Sequence, residues 1–148
     1  MNVVVDNLLT NYALSGKGKL VLLLHGWGDS SKGLAGLQKR LSSDYEVLAV
    51  DLPGFGGTQA PTDVWDLDGY ARFVDAFLRK LELEQPYAVV GHSNGGALAI
   101  RAVSLGTLKP KKLVLLAASG IRTGHRTKRS LLKIVAKCGT VATFWLPE

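Results

Sequence analysis

Cysteine is almost absent from this sequence, since Cys138 is the only one among 148 residues. A single thiol excludes an internal disulfide framework and any zinc site built on paired cysteines, and it suits a reducing compartment. The amino terminus, MNVVVDNLLTNYALSG, has no basic stretch followed by a long apolar one, so no secretory signal is read there. No apolar run approaches the ~20 residues that a membrane span needs. These absences predict a cytoplasmic protein that does not engage a membrane. Phosphate-cradling loops are missing too. Ser15-Gly16-Lys17-Gly18-Lys19 lacks the G-x-x-x-x-G-K-[ST] spacing, and Gly54, Gly56 and Gly57 miss G-x-G-x-x-G with no helix opening behind them. The expectation is an active site without cofactor or metal. Acids are scarce in one region: residues 107–148 hold nine Lys and Arg and a single acid, Glu148, while residues 1–106 hold nine and eleven. The net charge of +6 therefore belongs to the last quarter of the chain.

What remains is ordinary for a globular domain, 47% hydrophobic and 20% charged, and long enough for one substantial core. Val3–Val5 and Tyr12–Leu14 read as two short strands, separated by the polar Asp6-Asn7. Leu20–Leu24 is a continuous apolar run, as in a central parallel strand covered on both faces. Ser30 or Ser31 could cap a helix that carries Leu34, Leu37 and Leu41. Tyr45–Val50 is the next strand and runs into the Gly- and Pro-rich loop Asp51–Thr58. Asp66 or Asp68 then opens an amphipathic helix, with Tyr70, Phe73, Val74, Phe77, Leu78 and Leu81 on one face and Pro86 as its breaker. Ala88–Val90 is a buried strand, the helix after it stops near Gly106, and Lys112–Ala118 reads as another buried strand. Lys128–Ala142 could form a further helix. Strands alternating with helices predict a mainly parallel sheet, with chemistry at the carboxyl ends of its strands.

Three Gly-rich loops fall at that edge: His25–Ser31, Asp51–Thr58 and Gly91–Gly95. The last holds Gly91-His92-Ser93-Asn94-Gly95, a G-x-S-x-G pattern set between a strand and an Ala-rich helix. Such a sharp strand-to-helix turn raises a serine hydroxyl above the sheet edge and aims a helix N-terminus at it. The rival reading of Ser93 is an ordinary helix cap.

The motifs HGWG (25–28), DLPGFG (51–56) and GHSNGG (91–96), in this order and at this spacing, resemble the N-terminal half of an α/β-hydrolase. HGWG followed by DLPGFG is similar to the pimeloyl-[acyl-carrier protein] methyl ester esterase branch, and related esterases and C–C bond hydrolases share much of it. The resemblance implies a three-layer α/β sandwich. Residues 1–121 would be the core, and residues 122–148 the start of a cap or lid. It implies acyl transfer to Ser93 as nucleophile, with the backbone N–H groups of Trp27 and Asn94 as the oxyanion hole. The Trp27 indole would either line the acyl pocket or pack in the core. His25 would brace its loop, His92 would have a supporting role, and Asp51 would stabilise a turn.

The resemblance also implies a triad in the order Ser, acid, His. After Ser93 the sequence has no Asp, its only Glu is Glu148, and its only His is His125. The expectation is a serine hydrolase of carboxylic esters present as an N-terminal fragment, feebly active or inactive alone, with the sheet cut after its sixth strand and prone to self-association there. A C–C bond hydrolase, a lactonase or a non-catalytic ligand-binding module are the alternatives. The expected partner is a small ester or acyl substrate. Lys109, Lys111, Lys112, Arg122, Arg126, Lys128, Arg129, Lys133 and Lys137 form either a solvated cap surface or a face on which an acidic carrier protein docks. Nucleic acid is not expected, because the only aromatics in this segment, Phe144 and Trp145, lie at its far end.

Overall fold

The computed structural model describes residues 1–120, so the proposed cap segment 122–148, the Lys128–Ala142 helix and six of the nine basic residues lie outside the described part. Within it a six-stranded sheet runs in the order β1-β2-β4-β3-β5-β6. Its strands are β1 (Asn2–Val5), β2 (Leu8–Ser15), β3 (Leu20–Leu24), β4 (Glu46–Val50), β5 (Ala88–His92) and β6 (Lys112–Leu116). The helices are α1 (Ala35–Leu41), α2 (Leu67–Lys80) and α3 (Asn94–Ser104). β1 and β2 form an antiparallel hairpin, and β2 also pairs antiparallel with β4. The other pairings are parallel. Asp6 and Asn7 make the hairpin turn with φ of 47° and 63°, the positive values that a type I′ turn demands of both central residues.

The period of two along each strand divides the core into two layers. Leu22, Leu24, Leu48, Val50 and Val89 face Phe73, Val74, Phe77 and Leu78 of α2 and Leu98, Ala99 and Ala102 of α3. Val21, Leu23, Val47, Ala49, Ala88 and Val90 face the opposite way, onto Leu34 and, from α1, Leu37 and Leu41. β3 is buried along its whole length, as its unbroken apolar run predicts. Each such fully buried Leu or Phe contributes about 1.5–3 kcal/mol relative to leaving it exposed.

Three readings are corrected. Neither Ser30 nor Ser31 caps a helix with its side chain. A 3-10 turn, Ser31–Leu34, precedes α1, and the N–H groups of Ser30 and Ser31 donate to the carboxylates of Asp29 (2.8 Å) and Asp51 (2.6 Å). Asp66 does cap α2, accepting from Gly69 N–H at 2.9 Å, but Pro86 does not end that helix. α2 stops at Lys80 because Glu82 adopts φ 55°, so that Leu83 N–H reaches Leu78 O at 3.0 Å and Glu82 N–H reaches Arg79 O at 3.0 Å. That is a Schellman closure with glutamate where glycine is usual. β6 is apolar but not buried: Leu113, Val114 and Leu116 are 37%, 42% and 39% exposed. Burial needs neighbours, and among the described residues β6 pairs only with β5.

The order places a topological switch at β3. The chain leaves β3 for β4 on one side and reaches β5 on the other, so the loops after β3 and β5 meet above the sheet. Ligands of open α/β sheets bind in such crevices.

Candidate active site

Ser93 stands immediately after β5 with φ 50° and ψ −113°, a conformation that side-chain-bearing residues seldom adopt. The surroundings hold it there. Its N–H donates to Leu116 O at 2.9 Å, and its carbonyl accepts from Ser119 N–H at 2.9 Å, Gly96 N–H at 3.1 Å and Ala97 N–H at 3.3 Å. The turn is possible because backbones approach without side chains between them. A Cβ on Gly91 would lie 2.5 Å from Gly95 O and 2.6 Å from Gly96 Cα, and one on Gly95 would run into the carbonyl oxygens of Leu24 and His25. The Ser93 side chain makes no capping bond to α3, which removes the helix-cap reading.

The loop after β3 lies against this elbow. A Cβ on Gly26 would be 3.3 Å from Ser93 Cβ and 3.1 Å from His92 Nδ1. Trp27 N–H follows on that loop and Asn94 N–H follows Ser93. Neither makes a hydrogen bond among the described residues. Asn94 opens α3, whose dipole is positive at that end. The Trp27 ring is 71% exposed and stands edge-to-face on Phe55, with centroids 4.9 Å apart. Among the described residues it belongs to neither layer of the core.

His25 is fully buried, and both ring nitrogens are occupied. Nε2 accepts from Leu52 N–H at 2.9 Å, which leaves Nδ1–H to donate to Gly26 O at 2.8 Å. It braces the β3 loop to the β4 loop, as the resemblance implies, and is not free to act as a base. Asp51 accepts from Ser31 N–H (2.6 Å), Gly57 N–H (2.8 Å) and Asn11 Nδ2 (2.8 Å). Burial pushes its carboxyl pKa up, but the bonds from Gly57, Ser31 and Asn11 outweigh this and hold it below its ordinary 3.8. It stabilises the turn and does not reach Ser93.

Ser119 is the residue that sequence reasoning missed. Its Oγ lies 3.3 Å from Ser93 Oγ. No motif marks it. Only the placement of β6 beside β5, and a backbone turn at Ala117 (φ 45°), bring it over the elbow. Among the described residues no imidazole or carboxylate is hydrogen-bonded to Ser93 Oγ, and His125 and Glu148 lie outside them. Of the basic segment, only Lys109, Lys111 and Lys112 are among the described residues. Lys109, Lys111 and Lys112 lie at the amino end of β6, the sheet edge opposite Ser93, with Lys112 Nζ 5.5 Å from the Tyr87 ring centroid. No helix among the described residues is long and apolar enough to cross a membrane.

Residues 19–140 match the family described as the alpha/beta hydrolase fold. The pimeloyl-[acyl-carrier protein] methyl ester esterase of Shewanella woodyi is 38% identical over 104 residues, covering 70% of this chain and 38% of that protein. The 2-hydroxy-6-oxo-6-(2'-aminophenyl)hexa-2,4-dienoic acid hydrolase of Metapseudomonas resinovorans is 30% identical over 115 residues, 76% of this chain and 40% of that protein. Among solved structures, the meta-cleavage product hydrolase from Pseudomonas fluorescens IP01 superposes with a TM-score of 0.76 at 30% identity, covering 84% of this chain and 47% of that one. The chain spans less than half the length of the curated relatives it matches.

Proposed function

This chain belongs to the alpha/beta hydrolase fold family, and we propose that within it Ser93 is the nucleophile of a carboxylic ester hydrolase. The observation that carries the reading is the strained Ser93 at the β5–α3 elbow, set against the loop at Gly26, with neither Trp27 N–H nor Asn94 N–H hydrogen-bonded among the described residues. Ser93 Oγ would attack the ester carbonyl carbon, and the two N–H groups would hold the oxyanion that forms. Collapse would expel the alcohol and leave an acyl-serine for water to cleave. One such donor is worth about 3–4 kcal/mol in the transition state. The exposed Trp27 ring, supported on Phe55, would be an apolar wall for the acyl group.

The attack also needs a proton acceptor. In this reading the triad acid and base belong to sequence that the longer relatives have and this chain lacks, so the chain alone retains only the catalysis that oxyanion hole and binding provide. An acidic carrier protein bearing the acyl group would then dock on basic residues beyond 121, because Lys109, Lys111 and Lys112 face away from Ser93.

Prolonged treatment with a fluorophosphonate tests the assignment. The expected result is slow labelling mapped to the Ser93 peptide and lost in Ser93→Ala. Equal labelling of the variant, or none of either, overturns the nucleophile. An acyl-enzyme burst at the rate of an intact esterase overturns the placement of acid and base outside the chain.

The second reading is C–C bond hydrolysis by the same serine. It is supported by the dienoic acid hydrolase and meta-cleavage product hydrolase likenesses at 30% identity.

A further inference from the structure

The loop that follows β6 is built onto the elbow. Ser93 N–H donates to Leu116 O, and Ser119 N–H donates back to Ser93 O, each at 2.9 Å. Between these two bonds Ala117 takes φ 45°, an unusual value for a residue with a Cβ. Gly120, directly after, takes φ 87°. Ala118 sits so close to α3 that a Cβ on Gly96 would come within 2.5 Å of its Cβ. The loop is thus fixed by its strand, by the Ser93 main chain and by α3. The outcome is one side-chain contact, Ser119 Oγ to Ser93 Oγ at 3.3 Å.

We infer that Ser119 is a positioning residue for the Ser93 hydroxyl. The inference rests on the reading of Ser93 as nucleophile. A serine hydroxyl is at once a donor and an acceptor. With Ser119 O–H donating to Ser93 Oγ, the Ser93 proton stays free for a base, and the bond strengthens as negative charge gathers on Ser93 Oγ. Catalytic hydrogen bonds are commonly long in the unliganded state and tighten as the reaction proceeds, which suits a separation of 3.3 Å. The same bond selects one Ser93 rotamer before substrate arrives. The Ser119 hydroxyl contacts Ser93 Oγ, so its effect is assigned to run through Ser93.

Two readouts test this on the 148-residue chain, using Ser119→Ala and the conservative Ser119→Thr. The first is the rate of fluorophosphonate labelling of Ser93 against pH. Ser119→Ala should slow it roughly threefold to tenfold, the worth of one hydrogen bond, and move the profile to higher pH, while Ser119→Thr restores most of the rate. The second is the side-chain coupling pattern of 13C-labelled Ser93 by NMR, which reads the rotamer whether or not the residue reacts. Ser119→Ala should shift it from one dominant rotamer toward averaging, and Ser119→Thr should not. An unchanged Ser93 rotamer in Ser119→Ala overturns the inference, and so does an unchanged labelling profile. Absence of labelling in the wild-type chain would sink the nucleophile reading instead, and leave the rotamer result to decide the contact.

Discussion

Leu52 donates its main-chain N–H to Nε2 of His25 across 2.9 Å of fully buried space, and this bond ties the loop after β4 to the loop after β3. Replacing His25 by Ala strands the buried Leu52 N–H, leaves Gly26 O with only the 3.3 Å bond from Asp29 N–H, and opens a ring-sized void. A stranded buried donor or acceptor costs about 1–3 kcal/mol, so the variant should lose roughly 2–4 kcal/mol of unfolding free energy in urea titration. A loss under about 0.5 kcal/mol would mean that the brace does not hold the loop.

Asp51 gives the same region a pH dependence of predictable sign. Its folded pKa lies below the ordinary 3.8, so its carboxylate stabilises the fold fully above that value. The contribution is lost as pH falls below 3.8 and on through the lower folded value. Ser31→Ala would leave the main-chain bond intact and is a poor test. Asp51→Asn is better, because it presents an amide donor to the N–H groups of Gly57 or Ser31. The variant should be about 1–3 kcal/mol less stable at pH 7, and the gap should narrow in acid. A gap that stays constant from pH 7 to pH 3 would show that the carboxylate charge is not what matters.

The Gly96–Ala118 approach separates glycines needed for space from glycines merely present. A methyl on Gly96 meets Ala118 Cβ at 2.5 Å, whereas Gly36 in α1 has nothing within 4 Å of its virtual Cβ. Gly96→Ala should destabilise by about 1–3 kcal/mol as the loop after β6 is pushed off. Gly36→Ala should stabilise by about 0.5–1 kcal/mol through helix propensity. Thermal unfolding of the pair checks both signs, and a shift in the same direction for both would refute the steric argument.

The legible parts of this fold are those where the pattern is local. The unbroken LVLLL of β3, the helical face of α2 and G-x-S-x-G between strand and helix each state their structure within a dozen residues. The elbow could be placed on the sheet edge for that reason. The closure of α2 was not legible, since the signal for a Schellman end is glycine and this chain puts Glu82 there at φ 55°. Nothing local joins Ser119 to Ser93, because 26 residues and a crossover separate them. The exposure of β6 was hidden for a third reason. KLVLL reads as buried from its own composition, whereas burial is decided by what lies beside it.

The exposed side of β6 bears on the behaviour of the sheet as a whole. β6 pairs with β5 along one side, and its other side, among the described residues, offers unpaired main-chain N–H and C=O groups. Leu113, Val114 and Leu116 add apolar exposure on the strand, Ile100 and Val103 add it on α3, and Leu105 adds it at the end of that helix. An exposed apolar edge strand is a template for another chain, and a charge on it is the usual protection. The 148-residue polypeptide should therefore self-associate with rising concentration, as read by light scattering. Val114→Lys places a charge in the middle of the exposed strand and should shift the population toward monomer, whereas Val4→Lys, on the β1 edge, should not. If the wild-type chain is a monodisperse monomer at high concentration, or if the two lysine variants behave alike, β6 is not the associating edge.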